Sequence, residues 1–247
     1  MRLQDKVAMV TGAGSGIGRG ISVRMAEEGA DIVGIDLNEK GMGETASAVQ
    51  ALGRNVLMLK ANVAVPQEVE QIVEEAIRAC GRIDILVNNA GVEWSATLTK
   101  MTEECWDKVL NVNLKGVFLC TQAVAKRMAE RRYGKIINIS SVAGKAAIFG
   151  GANYCAAKAG VIGLTRVTAV ELAKKGINAN AICPGPIDTP MFQSIPEKYQ
   201  QQMVDSVPKG RVGTPRDIAN LALFLATDEA DYITGQAINC DGGWLMN

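Results

Sequence analysis

The 247-residue chain contains no histidine. That absence removes Ser-His-Asp and Cys-His catalysis and takes away the commonest transition-metal ligand, so no metal centre is expected. Surplus charge is lacking too. Lys+Arg and Asp+Glu both number 26, which leaves no basic excess for a phosphate backbone or an anionic membrane, and nucleic acid is not an expected partner. No CxxC pair occurs among the six cysteines, Cys80, Cys105, Cys120, Cys155, Cys183 and Cys240. Scattered in this way, they suit free thiols in a reducing compartment rather than a disulfide framework or a zinc site. The amino terminus, MRLQDKVAMV, lacks the basic region, longer apolar segment and small-residue cleavage site of a secretion signal. Nor does any apolar run reach the ~18 residues of a membrane span. A cytoplasmic protein without a membrane partner is the expectation.

What is present is material for a core: 48% of residues are hydrophobic, and one domain over residues 1–247 is the default for this length. Short apolar, β-branched runs alternate with helical patterns. VAMVT precedes 17–28, DIVGID precedes 41–52, NVLMLK precedes 67–80, and IDILVNN precedes one long helix over 103–131. KIINIS is followed by 153–174, INANAI by helices near 197–205 and 215–227, and QAINC closes the series. Strands so uniformly apolar are covered on both faces, and strand-helix alternation implies right-handed crossovers. The fold class is therefore α/β, a doubly wound Rossmann sheet of about seven parallel strands with helices on both faces. Prolines 184, 186, 190, 196 and 208 break the rhythm over about 184–212, a candidate lid over a binding site.

Directly after the first strand comes TGAGSGIG, residues 11–18. A strand turning into a helix through glycines leaves unpaired amides and a positive helix end facing a gap that no Cβ fills, which suits a pyrophosphate. The GxGxxG spacing fails here, because its third glycine would fall on Ile17 or Arg19; what stands is TGxxxGxG. Asp36, ending the second strand, completes a dinucleotide pattern. Its carboxylate accepts from an adenosine ribose and repels a 2'-phosphate, so NAD is expected over NADP. Ser15 agrees, offering no cation, while Arg19 is expected to face solvent. The competing reading of Asp36 is a cap for the next helix.

Of four tyrosines only Tyr154 has a lysine four positions on, Lys158 in NYCAAKAG. Positions i and i+4 share a helix face, and a neighbouring cation lowers a phenol's pKa toward the range of a useful base. Ser141 lies thirteen positions before Tyr154, at the end of the KIINIS strand, where open α/β sheets bind ligands.

TGxxxGxG, NNAG at 88–91, NVNLKG at 111–116, the Ser141-to-Tyr154 spacing, YxxxK and the Pro-Gly pair at 184–185 together resemble the short-chain dehydrogenase/reductase family, along the whole chain. The resemblance implies Tyr154 as general acid/base and Ser141 as the hydrogen-bond partner of the substrate oxygen. It makes Lys158 both a holder of the nicotinamide ribose and the group that acidifies the phenol. Asn113, with Asn111 as competitor, would hold a water linking Lys158 to solvent. Gly12, Ser15, Gly16, Ile17, Gly18, Asp36, Asn62, Val63, Asn89, Ile187 and Thr189 match cofactor positions. Asn89 has strand bracing as its alternative role, and Thr189 helix capping. Asn62 stands where many members have aspartate, and it too can accept from an adenine amino group.

Within the family the chain most resembles 3-oxoacyl-(acyl-carrier-protein) reductase-like members, through RRYGKIINISS and GQAINCDGGW. Such reductases usually use NADPH. Asp36 therefore points to an NAD-linked dehydrogenase of a 3-hydroxyacyl thioester (CoA or carrier protein) or related secondary alcohol, running oxidatively. Arg131, Arg132, Lys174 and Lys175 lie near carrier-protein contact positions, or are simply solvated cations at helix ends. Glu93, Trp94, Lys145, Phe149, Met191 and Phe192 are the expected substrate lining, with any anionic substituent placed near Lys145. The alternatives are a polyol, sugar or aryl-alcohol dehydrogenase, and a non-catalytic subunit that kept the fold; a subunit freed from catalysis has no need of a tuned phenol. The resemblance also implies a tetramer, with itself or a related subunit, built through helices 103–131 and 153–174 and the last strand. Ala152, Ala156, Ala157, Ala159, Gly160 and Gly163 would allow close helix approach there, or equally pack on the sheet.

Overall fold

The computed structural model describes residues 1–246. Seven strands form a single sheet in the order β3-β2-β1-β4-β5-β6-β7, and every neighbouring pair is parallel. They are β1 (Val7–Thr11), β2 (Asp31–Asp36), β3 (Val56–Lys60), β4 (Ile85–Asn88), β5 (Gly134–Ile139), β6 (Ile177–Pro184) and β7 (Ala237–Cys240). Along each strand the side chains alternate between two cores, as the period of a strand requires. Ala8 and Val10 pack with Ile32, Ile85 and Val87 against helices α1 (Gly16–Glu27) and α9 (Pro215–Ala226). Val7 and Met9 join Val33, Ile35 and Leu86 on the other face, under α3 (Pro66–Cys80) and α5 (Gly116–Arg131).

With both faces apolar, hydrophobic alternation cannot distinguish one strand register from the next. Buried amides do. Asn88 and Asn138 stand opposite each other in β4 and β5, and Asn88 donates to Asn138 Oδ1 at 2.8 Å and to Thr121 Oγ1 of α5 at 3.0 Å. Asn138 donates in turn to Thr165 Oγ1 at 2.9 Å, on the 21-residue helix α6 (Ala152–Leu172). A slipped register would strand these groups in an apolar interior, at about 1–3 kcal/mol each. At the amino-terminal edge of the sheet, the 1%-exposed Asp84 accepts from the Val7 amide at 2.9 Å and pairs with Arg131 at 2.8 Å and Arg82 at 3.0 Å.

The expected single helix over 103–131 is instead α4 (Glu103–Leu110), a π-helical turn over Asn111–Lys115, and α5. The wider turn drives Asn113 inward until it is fully buried, while Asn111 stays exposed. π turns mark functional positions in many helices, and this one faces the segment after β4. The remaining helix of the β2 face, α2 (Glu39–Ala51), starts at the cap Asn38, whose side chain accepts from the Gly41 amide. The proline-rich stretch carries a short α7 (Pro190–Gln193) and α8 (Glu197–Ser206). Its two ends are tied at the base by Asp188 N–H to Gly213 O, 2.8 Å, and Gly213 N–H to Pro186 O, 2.9 Å. The excursion therefore projects from a fixed root over the carboxyl ends of the strands.

Candidate active site

A cavity of about 440 Å³ opens at the carboxyl ends of the central strands, at the point between β1 and β4 where the winding of the sheet reverses. Its floor begins with the glycine turn. Gly12 and Gly16 have φ of +68° and +50°, a region that disfavours side chains. A Cβ on Gly18 would collide with the Gly12 carbonyl, so Gly18 lets α1 pack against the turn and does not itself line the cavity. The first bond of α1 runs from the Arg19 amide to Ser15 O. The amides of Gly16, Ile17 and Gly18 precede it and have no intrahelical partner, the arrangement that receives an anion.

Asp36 is not the cap of α2; Asn38 is. Its Oδ2 accepts from the Gly14 amide at 2.8 Å and its Oδ1 from the Asn38 amide at 2.9 Å, leaving each oxygen capacity for a further donor on the cavity side. Leu37 beside it is exposed and apolar. Arg19, expected in solvent, is instead folded back. Its guanidinium donates to Gly14 O at 2.5 Å, Thr45 Oγ1 at 3.1 Å and Glu44 at 2.7 Å, so it is committed elsewhere and is not presented to a phosphate beside Asp36. Asn62 and Val63 line the same end, although Asn62 Oδ1 already accepts from the Ala64 amide. Asn89 lines the cavity, and its side-chain amide braces the glycine turn through Thr11 O at 2.9 Å and Gly12 O at 3.2 Å. Thr189 caps α7 through the Phe192 amide and also lines the cavity, beside Ile187.

Ser141, Tyr154 and Lys158 lie together at the other end. The Lys158 ammonium donates to Ile139 O at 2.9 Å and stands 5.5 Å from the centre of the Tyr154 ring. Ser140, which the motifs did not single out, anchors that turn of α6 by donating to Lys158 O at 2.8 Å. The displacements of the two groups from their ordinary acidity come chiefly from burial. Burial pushes the phenol up to about 12; the Glu93 carboxylate adds to the rise and a hydrogen bond with Ser141 opposes it. Burial likewise holds Lys158 down to about 8, with Cys183 acting in the opposite sense.

Several expected positions fall outside the cavity. Asn113 turns its side chain to the backbone of Val92, accepting from its amide at 2.8 Å and donating to its carbonyl at 2.9 Å, so any link to a water would run through its own main chain. Lys145 points away, with its ammonium on Ala237 O at 2.7 Å and Asn239 Oδ1 at 2.6 Å. The anion site imagined beside it does not exist in this geometry. Phe149 is 91% exposed, and Trp94 lies under the Lys108 ammonium outside the lining. Met191 and Phe192 do line the cavity, joined by Ile148, Ile195, Met203 and Trp244. Ile148 comes from the segment between β5 and α6, Ile195 and Met203 from the lid, and Trp244 from the end of the GQAINCDGGW stretch; none of the four was among the expected lining residues. Arg131 is spent on Asp84 and Arg132 on Lys174 O, at the opposite edge of the sheet.

No helix among the described residues is long and apolar enough to cross a membrane. The family described as Enoyl-(Acyl carrier protein) reductase matches residues 12–245. A 3-oxoacyl-[acyl-carrier-protein] reductase of Thermotoga maritima is 44% identical over 246 residues, covering 100% of each chain. The (2S)-[(R)-hydroxy(phenyl)methyl]succinyl-CoA dehydrogenase subunit of Thauera aromatica is 45% identical over 246 residues, 98% of each. The crystal structure of levodione reductase superposes with a TM-score of 0.95 at 38% identity, over 98% of both chains.

A Lys158→Met variant tests the buried ammonium. Below pH 8 the folded protein carries the cost of a charged, desolvated lysine. Between about 8 and the ordinary 10.5 the unfolded chain binds more protons than the folded one, so native stability rises with pH. Above pH 10 the raised phenol of Tyr154 reverses the trend. Thermal melts of the two proteins should therefore show native minus variant Tm increasing from pH 8 to pH 10, as the underlying stability difference changes by at most something on the order of 3 kcal/mol. A pH-independent difference would contradict the burial argument.

Proposed function

The chain belongs to the short-chain dehydrogenase/reductase family of nicotinamide-dependent oxidoreductases, and from that premise we propose that it interconverts a secondary alcohol and a ketone with NAD, on a 3-hydroxyacyl or 3-oxoacyl thioester. The observation that carries this reading is a single cavity joining Asp36 and the open amides of α1 to Ser141, Tyr154 and Lys158. The glycine turn fits a pyrophosphate and Asp36 fits a ribose diol, whereas a 2'-phosphate there would meet a carboxylate and no free guanidinium. The dinucleotide, when bound, supplies the hydride acceptor or donor. Lys158, Asn89, Ile187 and Thr189 are the residues that would hold its nicotinamide half.

The protein's own part is a proton and an oxygen. Tyr154 Oη gives a proton to the carbonyl oxygen in reduction or takes it from the hydroxyl in oxidation, and the Ser141 hydroxyl steadies the charge growing on that oxygen. With its pKa at about 12 the phenol keeps its proton at neutral pH, so reduction has its acid in place and oxidation must first remove it. The thioester assignment draws on the curated relatives, one named for a 3-oxoacyl carrier-protein substrate and one for a hydroxyacyl-CoA substrate. An apolar lining of Ile148, Met191, Phe192, Ile195 and Met203 suits an acyl or aryl group.

We also propose that copies of this chain, or of a related one, pair through α6. Ala156, Ala159, Gly163, Val167 and Val170 are exposed along one side of it, Val170 to 83%, with Phe118 of α5 nearby in the same helix layer. The spacing of three and four residues makes a continuous apolar stripe, and the missing side chains admit a second helix at close range.

Alcohol oxidation should accelerate from pH 7 to pH 10, and Tyr154→Phe should lower turnover in both directions by about 10²–10⁴ while NAD still binds. Near-normal turnover in that variant would refute the mechanism. Asp36→Ala should raise the kcat/KM for NADP relative to NAD by about tenfold or more; an unaltered ratio would remove the NAD assignment. Light scattering on a Val167→Glu, Val170→Glu double variant should give a smaller particle than the native protein, and an unchanged mass would place the interface elsewhere.

A further inference from the structure

Glu93 stands at the mouth of the cavity and has no part in the proton chemistry above. It is exposed, yet it is not free to wander. The residue before it, Val92, has both backbone groups taken by Asn113, at 2.8 and 2.9 Å. The residue after it, Trp94, has its carbonyl held by the Asn153 amide at 3.0 Å and by Cys105 Sγ at 3.1 Å. Both asparagines are completely buried, and Asn153 also accepts from the amide of Tyr154 at 2.8 Å. The Glu93 carboxylate itself accepts from Ser95 Oγ at 3.0 Å. A glutamate on a loose loop spreads its charge through solvent; one clamped on both sides delivers it to one place. That place adjoins Tyr154, whose phenol is pushed up in part by this carboxylate.

Among the described residues no Lys or Arg forms an ion pair with Glu93, whose carboxylate accepts from the Ser95 hydroxyl. Among the described residues Lys158 is the one Lys or Arg in the lining, and its ammonium is committed to Ile139 O. Lys145 is turned to β7. Asp36, the other carboxylate, belongs to the opposite end.

We infer that Glu93 sets the charge selectivity of the substrate end: compounds neutral around the reacting carbon are accepted, and those with a carboxylate there are excluded. This rests on the oxidoreductase reading above and narrows it, ruling out for this chain a succinyl thioester of the kind the Thauera aromatica relative is named for, whose free carboxylate lies near the reacting carbon. A 3-oxoacyl group masked as a thioester or amide fits the site, and the free 3-oxo acid does not. The same selectivity places before this protein a step that masks the carboxylate by acyl transfer.

The test is a matched pair, 3-oxo-3-phenylpropanamide and 3-oxo-3-phenylpropanoate, offered with dinucleotide to the native protein, Glu93→Gln and Glu93→Lys, with folding checked by circular dichroism. Binding is read by calorimetry and turnover separately. The native protein should bind the amide about tenfold more tightly than the carboxylate at low salt, and the gap should narrow at about 0.5 M salt. Glu93→Gln should bring the two within about twofold, and Glu93→Lys should reverse the order. A ratio unaltered by Glu93→Gln, or a native preference for the carboxylate, overturns the inference. Binding without turnover of either compound by the native protein counts against the oxidoreductase reading while the calorimetry still decides the charge selectivity; failure of the native protein to bind either overturns both.

Discussion

Thr11 and Asn89 hold together the two strands at which the sheet changes its direction of winding. Thr11 Oγ1 accepts from the amides of Asn89 and Ala90 at 2.9 and 3.0 Å, and the Asn89 side chain returns two bonds to the backbone of Thr11 and Gly12. The strand ladder between β1 and β4 ends at Val10 and Val87, and these bonds continue the tie beyond it to the edge of the crevice. The glycine turn and the start of the segment carrying Glu93 are joined by it. Because the strands are parallel, their carboxyl ends and the starts of the following helices meet on one edge, and a ligand placed there meets open amides.

Burial, more than pairing, governs the charges at the reacting end. Lys158 and Tyr154 are one helical turn apart, yet each is displaced from its ordinary pKa chiefly by loss of water. A side chain committed to a backbone carbonyl, as Lys158 is to Ile139, has its direction set before any ligand arrives. The two buried asparagines work in the same way on the segment after β4. Asn113 and Asn153 spend their amides on Val92 and Trp94, so a stretch that composition alone would leave as a mobile surface loop presents one carboxylate beside the phenol.

Much of this was legible from residue order. Apolar strands and amphipathic helices repeat at spacings that admit few alternatives to a doubly wound sheet, and TGxxxGxG, Asp36, Ser141 and YxxxK mark its carboxyl edge. Local pattern placed what is local in geometry: glycines at positive φ, a carboxylate ending a strand, a phenol and an amine one turn apart on a helix. Positions read from proximity in sequence to a motif fared worse. Lys145 lies between Ser141 and Tyr154 but turns toward β7, where Asn239 is 94 positions later and no local pattern links the two. Trp94 and Phe149 flank motifs and still miss the cavity, while Trp244 and Met203 reach it from far along the chain. The π turn at Asn111–Lys115 was invisible for a related reason: its sequence is compatible with ordinary helix, and the contact with Val92 decides.

The chain's order of residues, then, determined the architecture, the edge on which a ligand would sit and the chemical kinds of group brought to it. Periodicity, glycine and strand-end carboxylates act over a few bonds and need no partner elsewhere. Only tertiary structure decided which charged side chains face the cavity, how far the phenol departs from its ordinary acidity and which apolar residues close the substrate end. Those properties depend on water excluded by distant segments and on hydrogen bonds between residues remote in sequence, and neither is encoded within any one stretch of the chain.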